Sequence, residues 1–186
     1  MKVAIKPSAS EYQTLFDEMV IDTSKKNEIN EAVALIKQGR SRYQNLAYSV
    51  NPKIPYYAIG IAHYMEADCD FTKHIHCGDP LTARTVNEPS GRPINGNPPF
   101  TWEESATDWL NLKQWNKWQD WQITDILARL EMNNGLGYRH LGVPTPYLWS
   151  YAKNIYISGK FVSDGKFDAD AVSKQVGAAI LLKELS

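Results

Sequence analysis

The chain has 186 residues, 43% hydrophobic and 22% charged, with a formal net charge of −1. That length can bury one sizeable core, and near-neutrality gives no electrostatic reason to bind nucleic acid or an anionic membrane. No apolar run has the length of a membrane span or a signal peptide, so synthesis and folding in the cytosol, without membrane insertion, are expected.

Tyr12, Leu15, Phe16 and Met19 recur at helical spacing, which predicts a first helix over 10–21. Residues 22–26 read as a polar turn. A second helix is expected over 27–48, with Ile29, Val33 and Ile36 on one face and Gly39 as its weak point. Pro52 and Pro55 break the chain, and Pro55 opens a third helix that carries Tyr57, Ile61, Tyr64 and Met65 at helical spacing and ends near Glu66.

Residues 62–81 then crowd together Glu66, Asp68, Asp70, Asp79, three of the four histidines and both cysteines. A carboxyl half inside a core and half at a cleft is hard to ionise, because desolvation penalises its charged form. A general acid needs that environment to keep its proton near neutral pH, so Glu66 is the candidate acid. The bland alternative is a Glu66 that simply faces solvent.

Four prolines and two glycines make 87–99 a long loop, expected to wall a cleft. Thr101 and Glu104 form a T-x-x-E capping box, so a helix starts at Trp102 and gives way around 115–121. Trp121, Ile123, Ile126, Leu127 and Leu130 predict a core helix that stops at Asn134-Gly135. A short helix is expected over 145–152, and a small hairpin over 156–167 around Ser-Gly and Asp-Gly turns. Asp168 reads as the N-cap of a final helix with Ala169, Val172, Val176, Ala179 and Ile180 as its buried stripe. The expected fold is mainly α, one domain over 1–186 with at most a small β element, its N-terminal helices filling 1–53.

The segment M-E-A-D-C-D-F at 65–71 resembles the E-S-x-x-(N/D)-F/P segment of the lysozyme superfamily, in particular goose-type lysozymes and lytic transglycosylases. The runs G-D-P-L-T-A-R-T at 78–85, G-R-P-I-N-G-N-P-P-F-T-W-E-E-S-A at 91–106 and P-Y-L-W-S at 146–150 resemble bacterial and bacteriophage lysozyme-family proteins. Together these cover most of 54–185. The resemblance implies a lysozyme-like domain that degrades peptidoglycan or a related β-1,4-linked amino-sugar polymer, with Glu66 as general acid. It implies no cofactor and no metal, a monomer, and action on the wall after release, as by a bacteriophage endolysin. Ala67 stands where transglycosylases usually have Ser, so the subtype stays open. E-M-N-N-G-L-G-Y-R at 131–139 resembles the A-Y-N-A-G-x-G element that lines the transglycosylase cleft. It implies substrate contacts for Asn133 and Asn134, although a plain helix stop explains the same residues.

Glycoside cleavage needs a second group, and an inverting enzyme sets a base about 6.5–9.5 Å from the acid. Asp79 is the candidate, because its loop can fold back across the helix end. Thr85 would help hold the water, the spacing Asp79-x5-Thr85 resembling phage-type lysozymes. Asp68 and Asp70 lie too close to Glu66 in sequence to face it across a sugar, and Glu131 is a further option. Without a base, the sugar's own 6-hydroxyl would attack and leave an anhydro product. His76, Tyr138 and Tyr147 are expected to line the sugar.

Two other readings compete. His63, Asp68, Cys69, Asp70, His74, His76, Cys77 and Asp79 are all zinc-capable, as a wall peptidase or amidase would require, but their spacing matches no metallohydrolase motif. An aromatic sugar-binding module using Trp102, Tyr138, Tyr147 or Trp149 needs no chemistry. Cys69 and Cys77 would pair only on export.

Overall fold

Helix α1 (Ala9–Glu18) starts where the Ser8 hydroxyl accepts the Glu11 amide, and it buries Tyr12, Leu15 and Phe16. A computed structural model describes residues 7–163 and 165–186. The reading of residues 1–6 as free of a leader, and Asp164 of the expected Asp-Gly turn, lie outside the described residues. After one 3-10 turn (Thr23–Lys25) come α2 (Lys26–Gln38), α3 (Arg40–Val50) and α4 (Tyr56–Ala67). Helices α5 (Trp102–Leu112), α6 (Ile123–Asn134), α7 (Gly137–His140) and α8 (Pro146–Trp149) follow. Strands β1 (Lys160–Ser163) and β2 (Lys166–Asp168) and helix α9 (Ala178–Leu185) end the chain. The protein is mainly α with one small hairpin, as expected. Among the described residues no helix is long and apolar enough to cross a membrane.

The expected second helix is two helices, broken at Gly39. A Cβ there would fall 2.5 Å from the Tyr43 ring, so the glycine is the space that Tyr43, fully buried, occupies.

Packing divides the chain into two compact units, Met1–Val33 with Gln122–Ser186 and Ala34–Trp121. The boundary after Val33 falls inside the stretch 1–53 that is expected to hold the N-terminal helices. In the discontinuous unit, α1 packs on α6, and α6, α8 and α9 pack together. Arg139, buried after α7, donates to Glu131 on α6 and to Glu11 on α1, and the Tyr12 hydroxyl donates to the same Glu131 carboxylate. The hairpin is antiparallel, pairing Lys160 with Asp168 and Phe161 with Phe167.

The final helix departs from expectation. Asp168 caps only its own turn, accepting the amides of Asp170 and Ala171, and Val172 is exposed. The chain stays non-helical until Gly177, whose amide donates to Ser150 O at 3.1 Å. A Cβ on Gly177 would collide with the backbone of Leu148 and Ser150. Tertiary contact, not the Asp168 signal, sets where α9 begins.

In the continuous unit, α3 packs on α4 and α5. The Thr101–Glu104 capping box forms as the sequence indicates. Asn51 donates to the carbonyls of Trp115 and Trp118, and Trp121 packs edge-on against Trp115 instead of joining α6.

Candidate active site

Helix α4 is apolar on nearly every side, as a helix running through a core must be. Ala58, Ile59, Ile61, Ala62, His63 and Met65 are all buried. Glu66, one residue before the helix ends, is half-buried. Asp68 and Cys69 then take left-handed backbone at φ 51° and 57°, which turns the chain sharply away from Glu66. Neither is glycine, and such positions carry strain of about 1–3 kcal/mol each. Gly78 (φ 78°) brings the following loop against the helix end, where a Cβ would lie 3.0 Å from Glu66 O. Glu66 is near enough to act electrostatically on Cys77 and Lys113. Burial lowers the pKa of the half-buried Lys113, and the charge of Glu66 opposes that shift.

Asp79, 8% exposed, is fully occupied. Oδ2 accepts the amides of Val86 and Asn87, and Oδ1 accepts Asn87 Nδ2 at 2.6 Å. The Cys77 thiol is a fourth partner. Burial would raise its pKa, but these hydrogen bonds prevail and hold it below the usual value. Activating a water requires a free lone pair, and the four here are taken. Thr85, expected to hold that water, is buried; its hydroxyl donates to Pro89 O and accepts the Arg92 amide. Both residues brace the loop over 85–92.

The histidines point into protein. His63 lies between Trp102 and Tyr43, and burial pushes its pKa down to about 4. His74 contacts Ser105 and Ala83 O; His76 contacts Ser105 and Asp108. His76, expected to line the sugar, is 4% exposed and has both ring nitrogens on protein partners. Among the described residues no three His, Cys, Asp or Glu side chains are arranged to hold a metal ion. Cys69 and Cys77 are both free thiols, each pushed up to about 11 by burial.

The remaining candidates belong to the discontinuous unit. Asn134 and Tyr138 line a 540 Å³ cavity with Phe161, Val162, Ser163 and Gly165. Asn134 donates to the Thr145 hydroxyl, and the Tyr138 hydroxyl accepts the Phe161 amide. Asn133 and Tyr147 are half-buried. Glu131 is 2% exposed and bound by Arg139 and Tyr12, which makes it a core residue and not a catalytic option. Trp102 and Trp149, each 1% exposed, are also core and cannot serve as a sugar platform.

Sequence reasoning missed Lys113 as a neighbour of Glu66, and it missed Ser105 and Asp108 as the partners of His74 and His76. The second pair had a signal: Ser105 and Asp108 stand three apart in α5 and so share a face. Comparison with family models, curated proteins and solved structures finds no match to this chain.

Proposed function

We propose that the chain cleaves β-1,4 bonds of the peptidoglycan glycan strand, with Glu66 as the proton donor. The observation that carries this is the position of Glu66: half-buried, at the C-terminal end of a core helix. Partial desolvation and the negative end of the helix dipole both favour a protonated carboxyl there. The motif resemblance at 65–71 and 78–106 supplies the substrate class. Glu66→Gln keeps the shape and removes the acid; it should lower glycan cleavage by ~10²–10⁴ while the folded spectrum is unchanged.

The filled oxygens of Asp79 favour a second reading of the product. With no lone pair ready to activate water, attack by the sugar's own 6-hydroxyl, as in lytic transglycosylases, needs only Glu66. Mass spectrometry of fragments from purified peptidoglycan separates the cases. Fragments that have gained a water restore Asp79 as the second carboxylate, acting with its loop contacts opened. Anhydro ends leave Asp79 as a brace. Cut peptides on intact glycan would remove Glu66 from the chemistry.

A further inference from the structure

Three stretches of the discontinuous unit meet around a pocket of 370 Å³. Residues 20–25 run beside 151–153: the Asp22 amide donates to Tyr151 O at 2.9 Å and the Lys153 amide to Val20 O at 3.0 Å. Residues 172–174 close the third side. There the Ser173 amide donates to the Tyr156 hydroxyl at 3.1 Å, and Lys174 O accepts the Tyr151 hydroxyl at 2.7 Å. Hydrogen bonds tie the walls to one another, so the pocket is formed before any ligand arrives.

Tyr151 shows that this shape is imposed on the chain. Its φ of 72° is left-handed, which glycine takes without penalty and tyrosine does not. A glycine would make the same turn. It would lack the ring that lies 5.4 Å from Lys25 Nζ and the hydroxyl that holds Lys174.

Each stretch brings one lysine to the lining: Lys25, Lys153 and Lys174. Lys25 pairs with Glu28 at 2.9 Å. Among the described residues, the exposed Lys153 and Lys174 form no ion pair. Asp22 also lines the pocket, and its Oδ1 is held by the amide and hydroxyl of Ser24. Three ammonium groups against the two carboxylates of Asp22 and Glu28 leave one positive charge in excess. Beside them stand Ile157, 79% exposed, and Val172, 54% exposed. Single exposed aliphatics are ordinary, but two on one charged pocket give it an apolar side and a cationic side.

We infer that this pocket binds a small organic acid, its carboxylate met by Lys153 and Lys174 and its apolar body by Tyr151, Ile157 and Val172. An excess of one charge suits a carboxylate better than a phosphate dianion. Ammonium groups act as point charges and accept it without a fixed angle. An inorganic anion would leave the apolar side unused. The site is independent of the reaction proposed for Glu66, which belongs to the continuous unit.

The test is ¹H–¹⁵N NMR of the full chain at pH 7 and low ionic strength, titrated with 3-phenylpropionate, with its neutral amide and with inorganic phosphate. The acid should give saturable shifts at 151–157 and 172–174 with a Kd of about 1 mM. The amide and phosphate should each bind about tenfold more weakly, one lacking the charge and the other the apolar body. Replacing both exposed lysines, Lys153→Met with Lys174→Met, should bring the acid down to the level of the amide. Equal binding of acid and amide would overturn the inference, as would phosphate binding as tightly as the acid. So would shifts that never saturate, or an unchanged Kd in the double variant.

Discussion

The indole N–H of Trp102 donates to Nε2 of His63 across 3.0 Å, and an indole can only donate, so that ring nitrogen is kept without a proton. The neutral ring then has its hydrogen on Nδ1, facing Tyr43 at 2.9 Å. Protonating His63 would set an Nε2 hydrogen against the Trp102 N–H in a fully buried place; the Asp70 carbonyl, 3.3 Å from Nε2, opposes the resulting fall in pKa without overcoming burial.

This fixes the sign of an acid effect on stability. Burial lowers the His63 pKa from 6.5 to about 4, so between those values the unfolded chain binds more protons than the folded one. Stability is complete above pH 6.5 and is lost as pH falls toward 4, by about 3 kcal/mol from this residue. Urea unfolding at pH 7.5 and 4.5 should show the fall. A His63→Phe variant should start less stable but lose less over the same interval; equal losses would refute the assignment.

Arg139 stands between two carboxylates with its side chain 1% exposed. Arg139→Met leaves Glu131 buried and unpaired, which should cost about 3–5 kcal/mol in denaturant unfolding. Glu11→Gln, at the 18% exposed end of the same cluster, should cost under about 1 kcal/mol. Similar costs for the two would mean that burial is not what makes the pair important.

Gly60 lies inside α4, where glycine to alanine ordinarily stabilises by about 1 kcal/mol. Here a Cβ would meet Ile36 Cγ2 at 2.6 Å and the Tyr43 ring at 3.1 Å. Gly60→Ala should therefore destabilise, by about 1–3 kcal/mol, and lower the Tm. A raised Tm would show that α3 and α4 have room to part.

Lys113 bears on the proposed acid. Its positive charge favours ionised Glu66, the reciprocal of the interaction that raises its own pKa. Lys113→Met should move the alkaline limb of the cleavage pH profile upward by roughly 0.5–1 pH unit. An unmoved limb together with intact activity would assign that limb to another group.

What the sequence made legible was what neighbours along the chain decide. The Thr101–Glu104 box needs only four residues, and the stop at Asn134-Gly135 needs two; both are present. The placement of Glu66 on α4 followed from Pro55 and the apolar spacing after it. Partners far off in sequence were not legible. Three histidines within fourteen residues left a ligand cluster as a competing reading, because the partners of their rings, Tyr43, Ser105 and Asp108, lie 20 to 32 positions away. Asp168 carries the residue type of a helix cap, but what decides the start of α9 is the fit of Gly177 against Ser150. Composition alone cannot tell an aromatic ring that meets a ligand from one that fills a core, so Trp102 and Trp149 were open to both readings.

The discontinuous unit has a consequence for the nascent chain. Tyr12 finds Glu131 across 119 positions and Glu11 finds Arg139 across 128. Everything that completes 34–121 has left the ribosome before α6 emerges, so that segment can fold while translation continues. Helix α1 must wait with its apolar face uncovered, and a ten-residue helix is marginal in water alone. During that interval Tyr12, Leu15 and Phe16 are the residues a chaperone would meet first.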